Sequence, residues 1–288
     1  MEDNKLMRKE LASGARLALI FGIMNTLLNS LVSAIFAGKL NGNLASAIAI
    51  SIVTVIALLC NRKKLPEGWF CAAKEKMDPQ VILSFLGFFA LYQLATKLLF
   101  RSGSEGLPGN SWSFVLYMGI MVPICEETIF RGIILGKYVK YGRVFALICT
   151  SILFGAYHMN LIQLVTGALM GLVFAYVGMR YCIGWCILIH FFNNGLVATI
   201  LPLLWKASGN SFLISRGTII VCAIVAAVGL AAFLGSHLIR DIREYFASDP
   251  GTKGSCKAVF LNAWFIVLIL ICIGMTVMVF YMGMNNLV

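Results

Sequence analysis

Apolar residues in this chain fall into runs of about 18 to 25, each closed by a short polar or charged stretch. A helix rising 1.5 Å per residue needs roughly 20 residues to cross about 30 Å of hydrocarbon, and runs of this length match that requirement. They are too long and too uniformly apolar for the alternating strands of a membrane barrel, and backbone satisfaction in lipid otherwise favours helices. The pattern therefore predicts an all-α, polytopic transmembrane bundle of about eight or nine spans. The expected spans are 15–37, 44–60, 80–100, 112–136, 143–158, 161–179, 183–204, 216–237 and 259–283. The second, fifth and sixth are short, so one of them is expected to tilt, re-enter or insert only in part.

Composition agrees with the pattern. Of 288 residues, 60% are hydrophobic and 12% charged, and the mean hydropathy is +0.90, far from the usage of soluble domains. The net charge of +11 would suggest nucleic acid in a soluble protein, but here the cations gather at alternate span ends. With the N-terminus inside, the inner segments hold Lys5, Arg8, Lys9 and Arg16, then Arg62 to Lys76, then Lys137, Lys140 and Arg143, then Arg180, and finally Arg240 to Lys257. Only Lys39, Arg101, Lys206 and Arg216 fall outside, so the N-terminus is expected in the cytoplasm. The polar leader with Glu2, Asp3 and Glu10 argues against a signal peptide. Nine scattered cysteines, several at predicted cytoplasmic ends, read as reduced thiols.

No internal repeat and no soluble module stands out, so residues 1–288 read as a single membrane domain. The segment 61–80 reads as an interfacial connection, 102–110 as an outer loop and 241–257 as a charged inner connection.

Three polar clusters interrupt the apolar spans. In the fourth, "PICEETIFRG" holds Glu126, Glu127 and Arg131. Glu127 and Arg131 are spaced to pair across one helical turn, whereas Glu126 is turned by roughly 100° and needs another partner. In the fifth, "FGAYH" ends on His158; in the seventh, "HFFNN" sets Asn194 one turn beyond His190. Each cluster alone admits a structural reading: an ion pair beside a protonated carboxyl, a packed histidine, an interhelical clasp. Ionisable groups inside spans nevertheless point first to function. Counted from the cationic ends, Glu126 and Asn194 lie about 16 Å deep, His190 about 10 Å and His158 about 22 Å. A shared depth band is what one buried polar site requires.

Glu-Glu-x-x-x-Arg, Phe-x-x-x-His and His-x-x-x-Asn, in that order on successive spans, resemble the CAAX protease and bacteriocin-processing family of intramembrane glutamic endopeptidases, related to type II CAAX prenyl endopeptidases. The resemblance covers roughly 112–200, with 112–204 as a catalytic core of four consecutive helices. It implies that Glu126 with His158 binds and deprotonates a water, that His190 and Asn194 donate to the carbonyl oxygen of the scissile peptide, and that Glu127 with Arg131 supports them. It also implies a peptide or membrane-anchored protein substrate reached from the cytoplasmic side, the lipid bilayer as the other partner, no nucleic acid, and a bacterial plasma-membrane setting. No cofactor is expected, although Glu126, His158 and His190 form an alternative zinc set. Cys182, Cys186, His190 and Asn194 form a second, weaker metal stripe. A proton-coupled transporter and a non-enzymatic bacteriocin immunity protein are the competing functions. His237 is expected in the last turn of the eighth span without a catalytic part, Lys97 at the outer interface near Arg101, and Gly167 with Gly171 as a close-packing face.

Overall fold

The structure, a computed structural model, describes residues 2–62, 75–100, 111–249 and 256–284. It is all-α, with no strand among the described residues. Helices α1 (Glu2–Ile35), α2 (Gly42–Asn61) and α3 (Pro79–Phe100) are followed by α4 (Trp112–Tyr141), the short α5 (Arg143–Tyr157) and α6 (Leu161–Arg180). Then come α7 (Ile183–Ser208), α8 (Leu213–Gly235), two short helices α9 (Leu238–Ala247) and α10 (Cys256–Phe260), and α11 (Ala263–Met284). Eight of these are long and apolar enough to cross a membrane, and α5 is the short one. By their length and composition these helices fit a multi-pass membrane protein. Side chains such as Leu59 (60% exposed), Val165 (61%) and Leu234 (75%) form the outward apolar surface that a bilayer requires.

Local chemistry sets the boundaries. The side chain of Asn41 accepts from the Asn43 amide at 2.9 Å to start α2, and Asn160 accepts from the Gln163 amide at 2.8 Å to start α6. Between α4 and α5 the chain turns at Gly142, whose φ of 123° suits a residue without Cβ. Helix α1 begins well before the apolar run that predicts it, and α4 extends beyond its expected end at 136 to Tyr141. His237 caps the start of α9 instead of closing α8, because Gly235 ends α8 and the extended Ser236 turns the chain. The interfacial segment is described only at its edges, and the loop 102–110 and Arg101 lie outside the described residues.

One end of the bundle is tied together by its cations. Lys140 pairs with Glu10 at 2.7 Å, and Tyr138 donates to the Leu11 carbonyl at 2.6 Å. Lys137 donates to Asn61 at 2.9 Å. Arg143 donates to the Tyr245 carbonyl at 2.8 Å, and Arg180 pairs with Glu75 at 2.8 Å. Helix α9 lays Leu238, Ile242, Tyr245 and Phe246 against the core and leaves Arg240 and Glu244 outward. Within the bundle α5 and α6 form a tight antiparallel pair. A Cβ on Gly171 would lie 2.9 Å from the Ser151 Cα, and one on Gly167 3.1 Å from the Gly155 Cα, so the glycine face expected on this helix is a packing face.

Candidate active site

Helix α4 does not run as a uniform α-helix through the glutamates. Val115–Met121 and Thr128–Leu135 are π-helical, and the two Glu residues sit on the α-helical segment Val122–Glu127 between them. Pro123 opens that segment, and a proline lacks an N–H and crowds the carbonyl four residues back. Widening of the preceding turn relieves both effects, and such widened turns are frequent at functional sites. The same pairing recurs in α7, where π-helical Phe192–Ile200 precedes Pro202 and carries Asn193 and Asn194. The two spans meet closely here: a Cβ on Gly119 would lie 2.8 Å from the Gly195 Cα.

Glu127 is fully buried and anchors the cluster. Arg131 Nη1 donates to its Oε1 at 3.3 Å, while Arg131 Nε lies 3.2 Å from Oε2 as an ion pair not lined up for a hydrogen bond. The guanidinium lies against two rings, 4.2 Å from the Phe154 centroid and 4.9 Å from that of Phe174. These faces attract the cation without competing for its protons. The same Glu127 Oε1 also accepts from His190 Nδ1 at 2.8 Å. A carboxylate can only accept, so the Nδ1 proton is fixed and Nε2 of the neutral ring is left as an acceptor. Asn194 Nδ2 donates to that Nε2 at 3.1 Å.

Glu126 is 4% exposed and faces the other way, as its place on the helix requires. Its Oε1 accepts from the Tyr157 hydroxyl at 3.0 Å, and its Oε2 lies 3.9 Å from His190 Nε2. His158 closes α5, with Met159 next to it in the left-handed region at φ 57°. A non-glycine residue in such a place costs of order 1 kcal/mol or more and is held by its surroundings. His158 Nδ1 donates to the Phe154 carbonyl at 2.9 Å, which leaves the Nε2 lone pair available. Phe154 thus does two jobs, fixing His158 with its backbone and Arg131 with its ring.

Glu126, His158, His190 and Asn194 all line one cavity of about 380 Å³, shared with Gln93 and Asn193 among others. Glu127 and Arg131 lie behind its wall. All six residues singled out in the sequence are therefore brought together. In the tautomer that donates from Nδ1 to Glu127, His190 Nε2 is engaged by Asn194 Nδ2 at the cavity wall.

Among the described residues no three His, Cys, Asp or Glu side chains are grouped to hold a metal ion, including Glu126, His158 and His190. The Cys182 and Cys186 stripe does not form a site either, because the Cys186 thiol is engaged with the Phe174 and Cys182 carbonyls.

Tyr157, Gln93 and Asn193 were not singled out from the sequence. Asn193 is visible in "HFFNN", but Gln93 lies 100 positions away in a span without a motif, and Tyr157 reads as one more aromatic.

Comparison with known proteins assigns the segment that builds this cavity. Residues 108–196 match the family described as Type II CAAX prenyl endopeptidase Rce1-like. The Rce1-like segment contains all three motifs, from Glu126 to Asn194, and ends beside the Gly119–Gly195 contact. At the level of the family this supports a CAAX-type intramembrane protease. No curated protein and no solved structure matches the chain.

Proposed function

We propose that this protein is an endopeptidase that hydrolyses a peptide bond of a peptide or membrane-anchored protein, using a water activated by Glu126 and His158. The observation that carries the reading is the meeting of an acceptor carboxylate, a histidine lone pair and an amide donor on one cavity within an apolar bundle.

The residues divide the work as follows. A water held by Glu126 and His158 Nε2 gives its proton to Glu126 as its oxygen bonds to the carbonyl carbon, and the π pair moves onto the carbonyl oxygen. Asn194 Nδ2 stabilises that oxyanion. His190 Nε2 is 3.9 Å from Glu126 Oε2, close enough to share the proton once a substrate tightens the site. With Nε2 protonated, its bond from Asn194 is lost, and both groups then donate toward the oxyanion. Collapse of the adduct re-forms the carbonyl and breaks the C–N bond, and the proton passes to the leaving amine. Tyr157 holds the Glu126 carboxylate in one orientation, while Glu127 and Arg131 hold His190.

We place the protein in a bacterial plasma membrane with its N-terminus and the cationic end of the bundle in the cytoplasm, as the cation distribution supports. Comparative peptide profiling of membranes containing the parent protein or Glu126→Gln tests the reading without a guess at substrate. Peptides present with the parent and absent with the variant support it. Identical profiles, with both proteins folded and equally abundant, overturn it.

A further inference from the structure

Behind Asn194 runs a chain of side-chain amides that the proposed chemistry does not use. Gln93 Nε2, on α3, donates to Asn193 Oδ1 at 2.9 Å and reaches the Asn193 carbonyl at 3.5 Å. Asn193 Nδ2 donates to Asn194 Oδ1 at 2.7 Å, and Asn194 Nδ2 donates to His190 Nε2 at 3.1 Å. His190 Nδ1 then donates to Glu127 Oε1 at 2.8 Å. Four successive bonds point in one direction, from α3 through α7 to α4.

An isolated asparagine in this cavity can present either its oxygen or its NH₂ to a substrate. Only the NH₂ stabilises an oxyanion; the oxygen repels it. The direction of the chain decides between them, because Asn194 Oδ1 is occupied by the Asn193 amide. Asn193 is 3% exposed, and its amide keeps a partner on turning over only if Gln93 turns with it, so the two amides set one direction together.

We propose that Gln93 and Asn193 are positioning residues of this site, holding the Asn194 amide with its NH₂ toward His190 and the cavity. The inference rests on the endopeptidase reading for its consequence on rate, and on hydrogen-bond direction alone for its structural content. It makes α3, outside the Rce1-like segment, part of the working site.

The chain can be reversed by exchanging one atom. In Gln93→Glu the side chain at 93 only accepts, so Asn193 turns its NH₂ toward it and its oxygen toward Asn194. Asn194 then donates to Asn193, presents Oδ1 to His190, and binds a proton on Nε2. Asn193→Asp imposes the same reversal one link nearer. Gln93→Leu removes the outer link without reversing anything.

The test uses the full-length protein in detergent, with ¹⁵N-labelled histidine and an internally quenched farnesylated CAAX peptide as the probe. Expected for Gln93→Glu and Asn193→Asp are a bare-to-protonated change in the His190 Nε2 signal and a fall in kcat of about 100-fold with little change in KM. Gln93→Leu is expected to keep the parent nitrogen signals and lose about tenfold or less, the scale of one lost neutral hydrogen bond. Unchanged nitrogen signals in a folded Gln93→Glu protein overturn the inference, as do equal losses in Gln93→Glu and Gln93→Leu. The nitrogen signals need no turnover, which separates the two readings. A switch in a parent that cuts no peptide supports the amide chain and counts against the endopeptidase; peptide cleavage without a switch does the reverse.

Discussion

At the scale of single residues, the site is a set of hydrogen-bond directions as much as a set of side chains. Glu127 sets His190, the Phe154 carbonyl sets His158, and Tyr157 sets Glu126. The Tyr157 ring packs against Phe21 and Phe130, so Tyr157→Phe keeps the packing and removes only the hydroxyl. A hydrogen bond to a charged group is worth about 1.5–3 kcal/mol. The expected outcome is therefore a loss in kcat of about tenfold to a hundredfold with KM near the parent value, read from steady-state kinetics. Equal kcat in the two proteins would show that the hydroxyl does not orient the carboxylate. Glu126, Glu127, Arg131, His158, His190 and Asn194 were legible in the sequence because ionisable and amide groups stand out in apolar spans. Tyr157 and Gln93 were not, because their meaning lies in contacts across 31 and 100 residues of chain.

At the scale of elements, the spans were legible from hydrophobic length but their inner turns were not. A hydropathy pattern does not separate a turn of 3.6 residues from the wider π turn, so the π-helical stretches around Glu126 and through Asn194 were invisible. The prolines at 123 and 202 were the available signal. The close approach of Gly119 to Gly195 lets α4 and α7 face each other across the cavity. In Gly195→Ala the new methyl must displace the Phe191 ring, 2.5 Å away, and presses on the Gly119 carbonyl of α4, 3.2 Å away. Overpacking of this kind costs about 1–3 kcal/mol. A lower thermal midpoint in detergent and reduced activity, with helical content unchanged, are the expected results.

At the scale of the whole molecule, the all-α multi-pass fold was legible because few architectures suit a chain that is 60% hydrophobic. The expected nine spans resolve into eight long helices and the short α5, which ends where His158 is needed. The short fifth span was legible at 143–158, whereas the left-handed Met159 that follows it was not. The cationic end of the bundle is expected to face the cytoplasm, and the exposed Cys60 near that end reports on it. In a variant retaining only Cys60, a membrane-impermeant maleimide is expected to label inside-out vesicles and spare right-side-out ones. The opposite pattern would invert the topology.

The most direct test of the central claim is the rate at which purified Glu126→Gln cleaves a peptide that the parent cleaves, with both products identified by mass spectrometry. Expected for Glu126→Gln is a rate below about one-hundredth of the parent's, the scale of a lost general base, in a protein of unchanged fold. Cleavage at the parent rate, at the same bond, would contradict it.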